Sequence, residues 1–222
     1  MFRSALPYAR AAGIREPLVC YQGAAVVDPA TGEWLLHEPI PVELAREAIA
    51  AVQDAGFGLN CYVDDELYVA QVTDAARAYA DFQSLPLTAV GDLLAWLERP
   101  PTKLVVVGDP DELDALRSGL AERFGERLFI AKSLPYFLEL ASPRISKGTG
   151  LAFVLEHLGL SEARTVAFGD GENDFELLEH AGYGIAVANA HTELKARADF
   201  VCPGPREEGV AQVLEAYLDS RP

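Results

Sequence analysis

The last third of the chain alternates short apolar runs with amphipathic segments. The pattern predicts helix 146–158, strand 165–168, helix 174–181, strand 184–188, a short helix 191–197, strand 199–202 and helix 209–219. Regular alternation of strands with helices favours a parallel sheet that is covered by helices. We therefore predict an α/β fold with a doubly wound parallel sheet for this part of the chain.

The preceding part of the chain is richer in strands. The pattern predicts strands 18–21, 24–27 and 34–36, helix 42–55, strands 58–63, 67–71 and 103–107, helix 111–124, and strands 128–131 and 137–141. Turn residues at 28–32 join two of these strands as a hairpin. This arrangement predicts a mixed α+β region.

Polar residues follow the predicted strand 165–168 directly, in the run Gly169-Asp170-Gly171-Glu172-Asn173-Asp174. Open α/β sheets bind ligands at this end of their strands. Mg²⁺ takes one or two carboxylates together with water and phosphate oxygens. We therefore predict Asp170 and Asp174 as residues of a metal site. Asp170 would be a ligand, and Asp174 would be either a second ligand or an outer-shell partner. Helix capping is the alternative, but it does not explain a glycine on each side of Asp170.

Lys147 lies in the first turn of the predicted helix 146–158. A cation there opposes the helix dipole, at a cost of about 0.3–1 kcal/mol. A bound phosphate would reverse this, because the lysine and the free amides of the helix start would both contact an anion. An ordinary surface lysine is the alternative interpretation.

These motifs resemble the haloacid dehalogenase superfamily of phosphatases, and within it the Cof-type sugar-phosphatase branch with a type IIB cap. The run at 169–174 resembles the family's Gly-Asp-Gly-x-Asn-Asp motif, Ser146-Lys147-Gly148 its conserved-lysine motif, and Gly209-Val210-Ala211 its closing helix. Tyr21-Gln22-Gly23-Ala24 stands where the family usually has Asn-Gly-Ala. The resemblance extends over essentially the whole chain.

The resemblance implies a core formed by residues 1–38 and 143–222, with an α+β cap domain inserted at 39–142. It implies that Lys147 stabilises the phosphate and that Mg²⁺ is the cofactor. The implied substrate-binding residues are Gln22, Gly23, Asn173 and Asn189. Turn chemistry explains Gly23 nearly as well, and Asn189 is equally natural as a helix cap.

The family's nucleophile is the first Asp of an Asp-x-Asp-Gly-Thr motif, which forms an aspartyl-phosphate that water then hydrolyses. No such motif occurs in these 222 residues. The first ten residues resemble the helix that follows the family's second motif, Thr-Gly-Arg. We therefore expect an amino-terminally truncated chain whose core lacks its first two strands.

A second Asp-x-Asp sequence, Asp109-Pro110-Asp111, follows the predicted strand 103–107. Pro at the first helical position with acids beside it is typical of a helix start. No Gly-Thr follows Asp111, so we predict a turn and a helix start here.

Composition excludes several classes of partner. The formal net charge is −16, with 34 acidic against 18 basic residues, which argues against nucleic acids and anionic membranes. The three cysteines, Cys20, Cys61 and Cys202, are widely spaced, as expected for reduced thiols in a cytoplasmic protein. We also expect unpaired sheet edges to promote homo-oligomers.

The sequence leaves three hypotheses for function. The first is a Mg²⁺-dependent phosphatase of a small phosphorylated metabolite, such as a sugar phosphate, represented by an incomplete chain. The second is a non-catalytic relative that binds a metal and an organophosphate. The third is a non-functional fragment, and the absent nucleophile leaves open whether this chain is an enzyme.

Overall fold

The computed structural model describes residues 1–220. Internal contacts divide the chain into two compact units, Met1–Ile145 and Ser146–Pro222. The predicted core, 1–38 with 143–222, and the predicted cap, 39–142, are domains as the family defines them. Internal contacts do not test that division, so it stays a prediction.

The first unit contains most of the strands. Its helices are α1 (Phe2–Ala11), α2 (Val42–Asp54), α3 (Asp74–Gln83), α4 (Leu93–Trp96) and α5 (Pro110–Phe124). Its strands are β1 (Leu18–Cys20), β2 (Ala25–Val27), β3 (Trp34–His37), β4 (Leu59–Val63), β5 (Glu66–Val69), β6 (Leu87–Ala89), β7 (Lys103–Val107), β8 (Phe129–Leu134) and β9 (Phe137–Ala141). The strands and the two long helices predicted here are confirmed close to their expected bounds, whereas α3, β6 and α4 had no predicted bounds.

A six-stranded sheet in the order β6-β5-β4-β7-β9-β8 forms the centre of this unit. Only β5 and β6 run parallel within it. Alternate residues of β4 face opposite sides: Leu59, Cys61 and Val63 pack with apolar residues of α2 and α5, whereas Tyr62 packs with Tyr79 of α3. The sheet is therefore buried on both faces, which explains why its strands are so rich in apolar residues.

A second, three-stranded sheet joins β1, β2 and β3 in antiparallel order. Tyr21 and Gln22, between β1 and β2, have φ angles of +54° and +59°, and Gly23 follows at +98°. L-residues rarely adopt positive φ, so this turn is held by contacts elsewhere. The Tyr21 hydroxyl donates to Asp65 Oδ1 at 2.5 Å.

The second unit alternates helices and strands as predicted. Its elements are α6 (Lys147–Leu158), β10 (Val166–Gly169), α7 (Phe175–His180), β11 (Tyr183–Val187), α8 (Thr192–Arg197), β12 (Phe200–Cys202) and α9 (Gly209–Asp219). The three strands pair in parallel, in the order β10-β11-β12. The predicted α/β class with a parallel sheet is confirmed, and the carboxyl ends of β10 and β11 lie at one edge.

The lengths of the helices and the exposed apolar side chains are relevant to two predictions, the cellular location and the oligomeric state. None of the helices within residues 1–220 combines the length and apolar character needed to cross a bilayer. Apolar side chains exposed in the second unit include Val166, Phe200, Val201, Leu214 and Leu218. The cytoplasmic location and the homo-oligomer both stay predictions.

Candidate functional site

The site forms where β10 ends at Gly169. A short 3₁₀ turn, Glu172–Asp174, leads from there into α7. Asp174 Oδ2 accepts hydrogen bonds from the backbone N–H groups of Asp170, at 2.9 Å, and Gly171, at 3.0 Å. The carboxylate of Asp174 therefore closes the turn that presents Asp170.

Close approach explains the two glycines of this turn. A Cβ atom on Gly169 would lie 2.6 Å from Asp174 Cβ, and one on Gly171 would lie 2.7 Å from Asn173 Oδ1. Neither glycine has a positive φ, so the requirement is steric. The turn therefore has no room for a side chain at either position, and the Asn173 side chain lies against it.

Lys147 reaches the same turn from the start of α6. The helix begins with a capping box, in which Ser146 Oγ accepts from the Thr149 N–H at 3.1 Å and Thr149 Oγ1 accepts from the Ser146 N–H at 2.8 Å. Lys147 is the first residue after this cap, and its Nζ donates to Asp174 Oδ1 at 2.5 Å. The two Asp174 oxygens thus bind the lysine on one side and the turn on the other.

The Lys147–Asp174 pair lies partly inside the protein. The lysine side chain is 31% exposed and that of Asp174 only 4%. Burial opposes ionisation of Asp174, but the Lys147 ammonium and the two backbone N–H groups outweigh it, so the pKa of Asp174 lies below its usual range. Asp174 is therefore an anion that fixes the position of Lys147.

Asp170 and Asn189 lie at the ends of neighbouring parallel strands. The His191 N–H donates to the Asp170 carbonyl at 2.9 Å and joins the turn after β11 to the end of β10. Asp170 and Asn189 are both exposed. The fold thus brings Lys147, Asp170 and Asp174 together, with Asn189 at the same sheet edge.

The residues at this edge fit Mg²⁺ as a partial ligand set. No group of three or more His, Cys, Asp or Glu side chains within residues 1–220 is arranged to hold a metal ion. Mg²⁺ does not need one, because it keeps several waters and binds one or two carboxylates. The Asp170 carboxylate is exposed and fits one such position. Both Asp174 oxygens are already engaged, so direct ligation by Asp174 stays a prediction.

Gln22 and Gly23 lie in the first unit. Gln22 Nε2 donates to Glu139 Oε2 at 3.1 Å, and Lys103 Nζ donates to Glu139 Oε1 at 3.0 Å. The positive φ of Gly23 agrees with the turn-based explanation of this glycine. Substrate binding by either residue stays a prediction.

The Lys103–Glu139 ion pair was not predicted from the sequence. Glu139 gave a signal, because it stands inside an apolar strand, where a lone charge is rarely tolerated, whereas Lys103 is the first residue of β7. The interpretation of Asp109 was correct. Its Oδ1 accepts from the Asp111 N–H at 2.9 Å, and Pro110 opens α5.

The sequence of the chain is similar to those of known proteins. A family model described as haloacid dehalogenase-like hydrolase matches residues 1–214. The chain is 29% identical over 200 residues to the HMP-PP phosphatase of Escherichia coli O6:H1, covering 85% of this chain and 70% of that protein.

Solved structures share the fold. A haloacid dehalogenase-like hydrolase from Bacteroides thetaiotaomicron matches with a TM-score of 0.86 and 26% identity, covering 96% of this chain and 82% of that one. A subclass IIB sugar phosphatase matches with a TM-score of 0.79 and 20% identity, covering 96% and 79% of the two chains. The second likeness concerns the fold alone.

Proposed function

Because the chain belongs to the haloacid dehalogenase-like hydrolases, we propose that it functions in the Mg²⁺-dependent hydrolysis of small phosphorylated metabolites, such as sugar phosphates. The observation that carries the proposal is that the Asp174 carboxylate accepts hydrogen bonds from both Lys147 and the backbone of the turn at Asp170. The activity of one relative, the HMP-PP phosphatase of Escherichia coli O6:H1, supports the substrate class.

The start of α6 supports the proposed phosphate binding. The first N–H groups of a helix lack intrahelical partners, and the helix dipole favours an anion there. Lys147 adds an ammonium group at the same end, and Asp174 holds that ammonium in place. A phosphoryl oxygen bound here would gain charge-assisted hydrogen bonds that strengthen as negative charge develops on it.

Charge at the sheet edge supports a divalent cation. The Lys147–Asp174 pair is neutral overall, and the carboxylates of Asp170 and Glu172 are exposed beside it. These carboxylates alone would repel a phosphate dianion. Mg²⁺, when bound, supplies the positive charge that phosphoryl transfer requires, and Asp170 is the residue of this turn that would hold it.

The covalent step needs a nucleophile that these 222 residues do not offer in the family's Asp-x-Asp-Gly-Thr form. Our proposal therefore assigns the phosphate-binding and Mg²⁺-binding residues and leaves the nucleophile unassigned. A second candidate function is a non-catalytic protein that binds Mg²⁺ and organophosphate. This candidate is favoured because Lys147 and Asp170 are present, whereas the Asp-x-Asp-Gly-Thr motif does not occur in these 222 residues.

Calorimetric titration of the 222-residue chain with Mg²⁺, and then with inorganic phosphate in Mg²⁺, tests the binding half of the proposal. We expect Asp170→Asn to lose Mg²⁺ binding and the phosphate binding that depends on it. Glu172→Gln removes the same charge two residues away and should bind as the wild type does. Equal Mg²⁺ affinity in Asp170→Asn and the wild type would exclude Asp170 from the site.

Addition of an amino-terminal segment that carries the Asp-x-Asp-Gly-Thr motif separates the two candidate functions. Mg²⁺-dependent hydrolysis of an aryl phosphate by the extended chain supports the phosphatase. Binding without hydrolysis in that chain supports the non-catalytic protein.

A further inference from the structure

Lys195, in α8, differs from the other lysines of the chain. Each of the others forms an ion pair with a carboxylate: Lys103 with Glu139, Lys132 with Asp114, and Lys147 with Asp174. Within residues 1–220, Lys195 forms no ion pair, and its Nζ donates instead to the Ala188 carbonyl at 3.2 Å. In a chain with a net charge of −16, an ammonium group without a carboxylate partner calls for an explanation.

The contact with Ala188 places the Lys195 ammonium at the carboxyl edge of the parallel sheet. Ala188 directly follows β11, as Asp170 directly follows β10. The turn between β11 and α8 touches the Asp170 turn, because the His191 N–H donates to the Asp170 carbonyl at 2.9 Å. Long side chains of a helix point back toward its amino terminus, so Lys195 reaches an atom seven residues earlier. The ammonium therefore lies at the end of the strand next to β10, and neighbouring strands are about 4.7–4.9 Å apart.

This edge of the sheet is open to a ligand. Lys195 is partly buried, whereas Asp170 and Asn189 are exposed. The Ala188 carbonyl takes one N–H of the ammonium and leaves its other N–H groups for water or an anion. Because the ammonium is not fully buried, an anion that binds it gains a charge-assisted hydrogen bond without the full desolvation cost of a buried ion pair.

We propose that Lys195 is a specificity-determining residue that binds a second anionic group of the substrate, beside the phosphoryl group held near Lys147 and Asp170. The assignment rests on the proposed function, because that function assigns the reacting phosphoryl group to the end of β10. The substrate class is then a metabolite that carries a phosphoryl group together with a carboxylate or a further phosphoryl group. A phosphorylated metabolite that is otherwise uncharged would gain nothing from Lys195.

Calorimetry with a matched set of phosphonates, in constant excess Mg²⁺, tests the assignment. Ethylphosphonate carries one anionic group, 3-phosphonopropionate adds a carboxylate at the end of the same two-carbon unit, and 1,2-ethylenediphosphonate adds a second phosphonate there. The carbon–phosphorus bond resists hydrolysis, so binding alone is measured. We expect the wild type to bind at least one of the two-anion probes roughly tenfold more tightly than ethylphosphonate. The tighter of the two identifies the second group as a carboxylate or a phosphoryl group.

Lys195→Met keeps the apolar stem of the side chain and removes the ammonium. It should abolish the gain from the second anionic group and leave the affinity for ethylphosphonate unchanged. A lysine that only braces the turn after β11 would behave differently, since its loss would weaken the binding of every probe by the same factor. Lys195→Gln, which keeps a donor for the Ala188 carbonyl, replaces Lys195→Met if the methionine prevents folding.

Two further variants separate the position of the charge from its presence. Lys195→Arg keeps a cation at the same place and should retain most of the gain. Arg197→Met is the matched control, because it removes the same charge from the same helix. Arg197 already pairs with Glu179 at 3.1 Å, so its loss should leave the gain from the second anionic group unchanged.

The outcomes distinguish this assignment from the proposed function. If the wild type binds ethylphosphonate but binds neither two-anion probe more tightly, the assignment of Lys195 is overturned and the proposed phosphate site stands. The same holds if the gain is equal in the wild type and Lys195→Met, or if that variant weakens all the probes equally. Absence of ethylphosphonate binding by the wild type would contradict the proposed phosphate site itself, and the assignment of Lys195 would fail with it.

Discussion

At the residue scale, the ion pair of Lys103 and Glu139 shows how far the structure depends on buried charge. Their side chains are 6% and 7% exposed, and Nζ lies 3.0 Å from Oε1. Burial opposes ionisation of Glu139, but Lys103 and the hydrogen bonds from Ser133 and Gln22 outweigh it, so the pKa of Glu139 lies below its usual value. Glu139 is therefore ionised in the folded protein, where it accepts hydrogen bonds from both Lys103 and Gln22.

We expect Lys103→Met to destabilise the chain by about 3–5 kcal/mol, because it leaves Glu139 charged and unpaired. The double variant Lys103→Met/Glu139→Leu should regain most of that loss. Urea unfolding at neutral pH measures both. A single variant no less stable than the double one would show that the pair contributes nothing.

The same pair predicts a dependence on pH. A depressed carboxyl pKa in the folded state stabilises the protein above the unfolded value, and the contribution disappears as pH falls through the folded pKa. The stability difference between wild type and Glu139→Gln should therefore be full above the ordinary pKa of 4.5 and shrink below it. A difference that does not change with pH would contradict this.

The residues with chemistry were predictable from sequence where a local motif carried them. Asp170 and Lys147 stand in short motifs at a strand end and a helix start. Their connection through Asp174 was not predictable, because Lys147 and Asp174 are 27 residues apart and meet only through packing.

At the element scale, the second unit was predicted best, because each of its strands is a short apolar run followed by an amphipathic helix. The helix α3 and the strand β6 were harder. The apolar positions of α3 are mostly alanines, such as Ala76 and Ala80, which give a weak pattern. The strand β6 has only three residues, 87–89, and pairs with β5 alone. Tertiary packing decides such elements.

The packing of α6 on α7 depends on Gly148. A Cβ atom there would lie 2.6 Å from the Glu176 carbonyl oxygen and 2.6 Å from His180 Cδ2. We expect Gly148→Ala to cost roughly 1–3 kcal/mol by overpacking and to weaken phosphate binding, since Lys147 adjoins it. Urea unfolding and phosphate titration measure the two effects.

Gly119 is the matched control. It also lies within a helix, α5, but nothing lies within 4 Å of a Cβ atom at that position. Gly119→Ala should therefore stabilise the chain by roughly 0.5–1 kcal/mol and leave phosphate binding unchanged. Equal destabilisation by both substitutions would refute the packing argument.

At the scale of the whole molecule, the residues proposed to bind phosphate and Mg²⁺ are present, whereas the family's nucleophile motif does not occur in these 222 residues. The second unit contains Lys147, the turn at Asp170 and the exposed Asp170 carboxylate, which are the groups that we propose bind phosphate and Mg²⁺. A phosphatase of this family also needs an attacking carboxylate, and the other Asp-x-Asp sequence serves to cap α5 through Asp109. Loss of a nucleophile usually leaves only weak residual catalysis.

We therefore expect the 222-residue chain to bind Mg²⁺ and phosphate but to have no appreciable phosphatase activity. Hydrolysis of p-nitrophenyl phosphate by the pure protein, with Mg²⁺ and with chelator, measures this. A contaminating phosphatase would keep its activity in Asp170→Asn, so that variant is the control for any trace signal. Robust Mg²⁺-dependent turnover that Asp170→Asn abolishes would mean that the chain contains its own nucleophile. Asp109→Asn and Asp111→Asn would then be the first substitutions to make, because these carboxylates follow β7 in the spacing that the family uses.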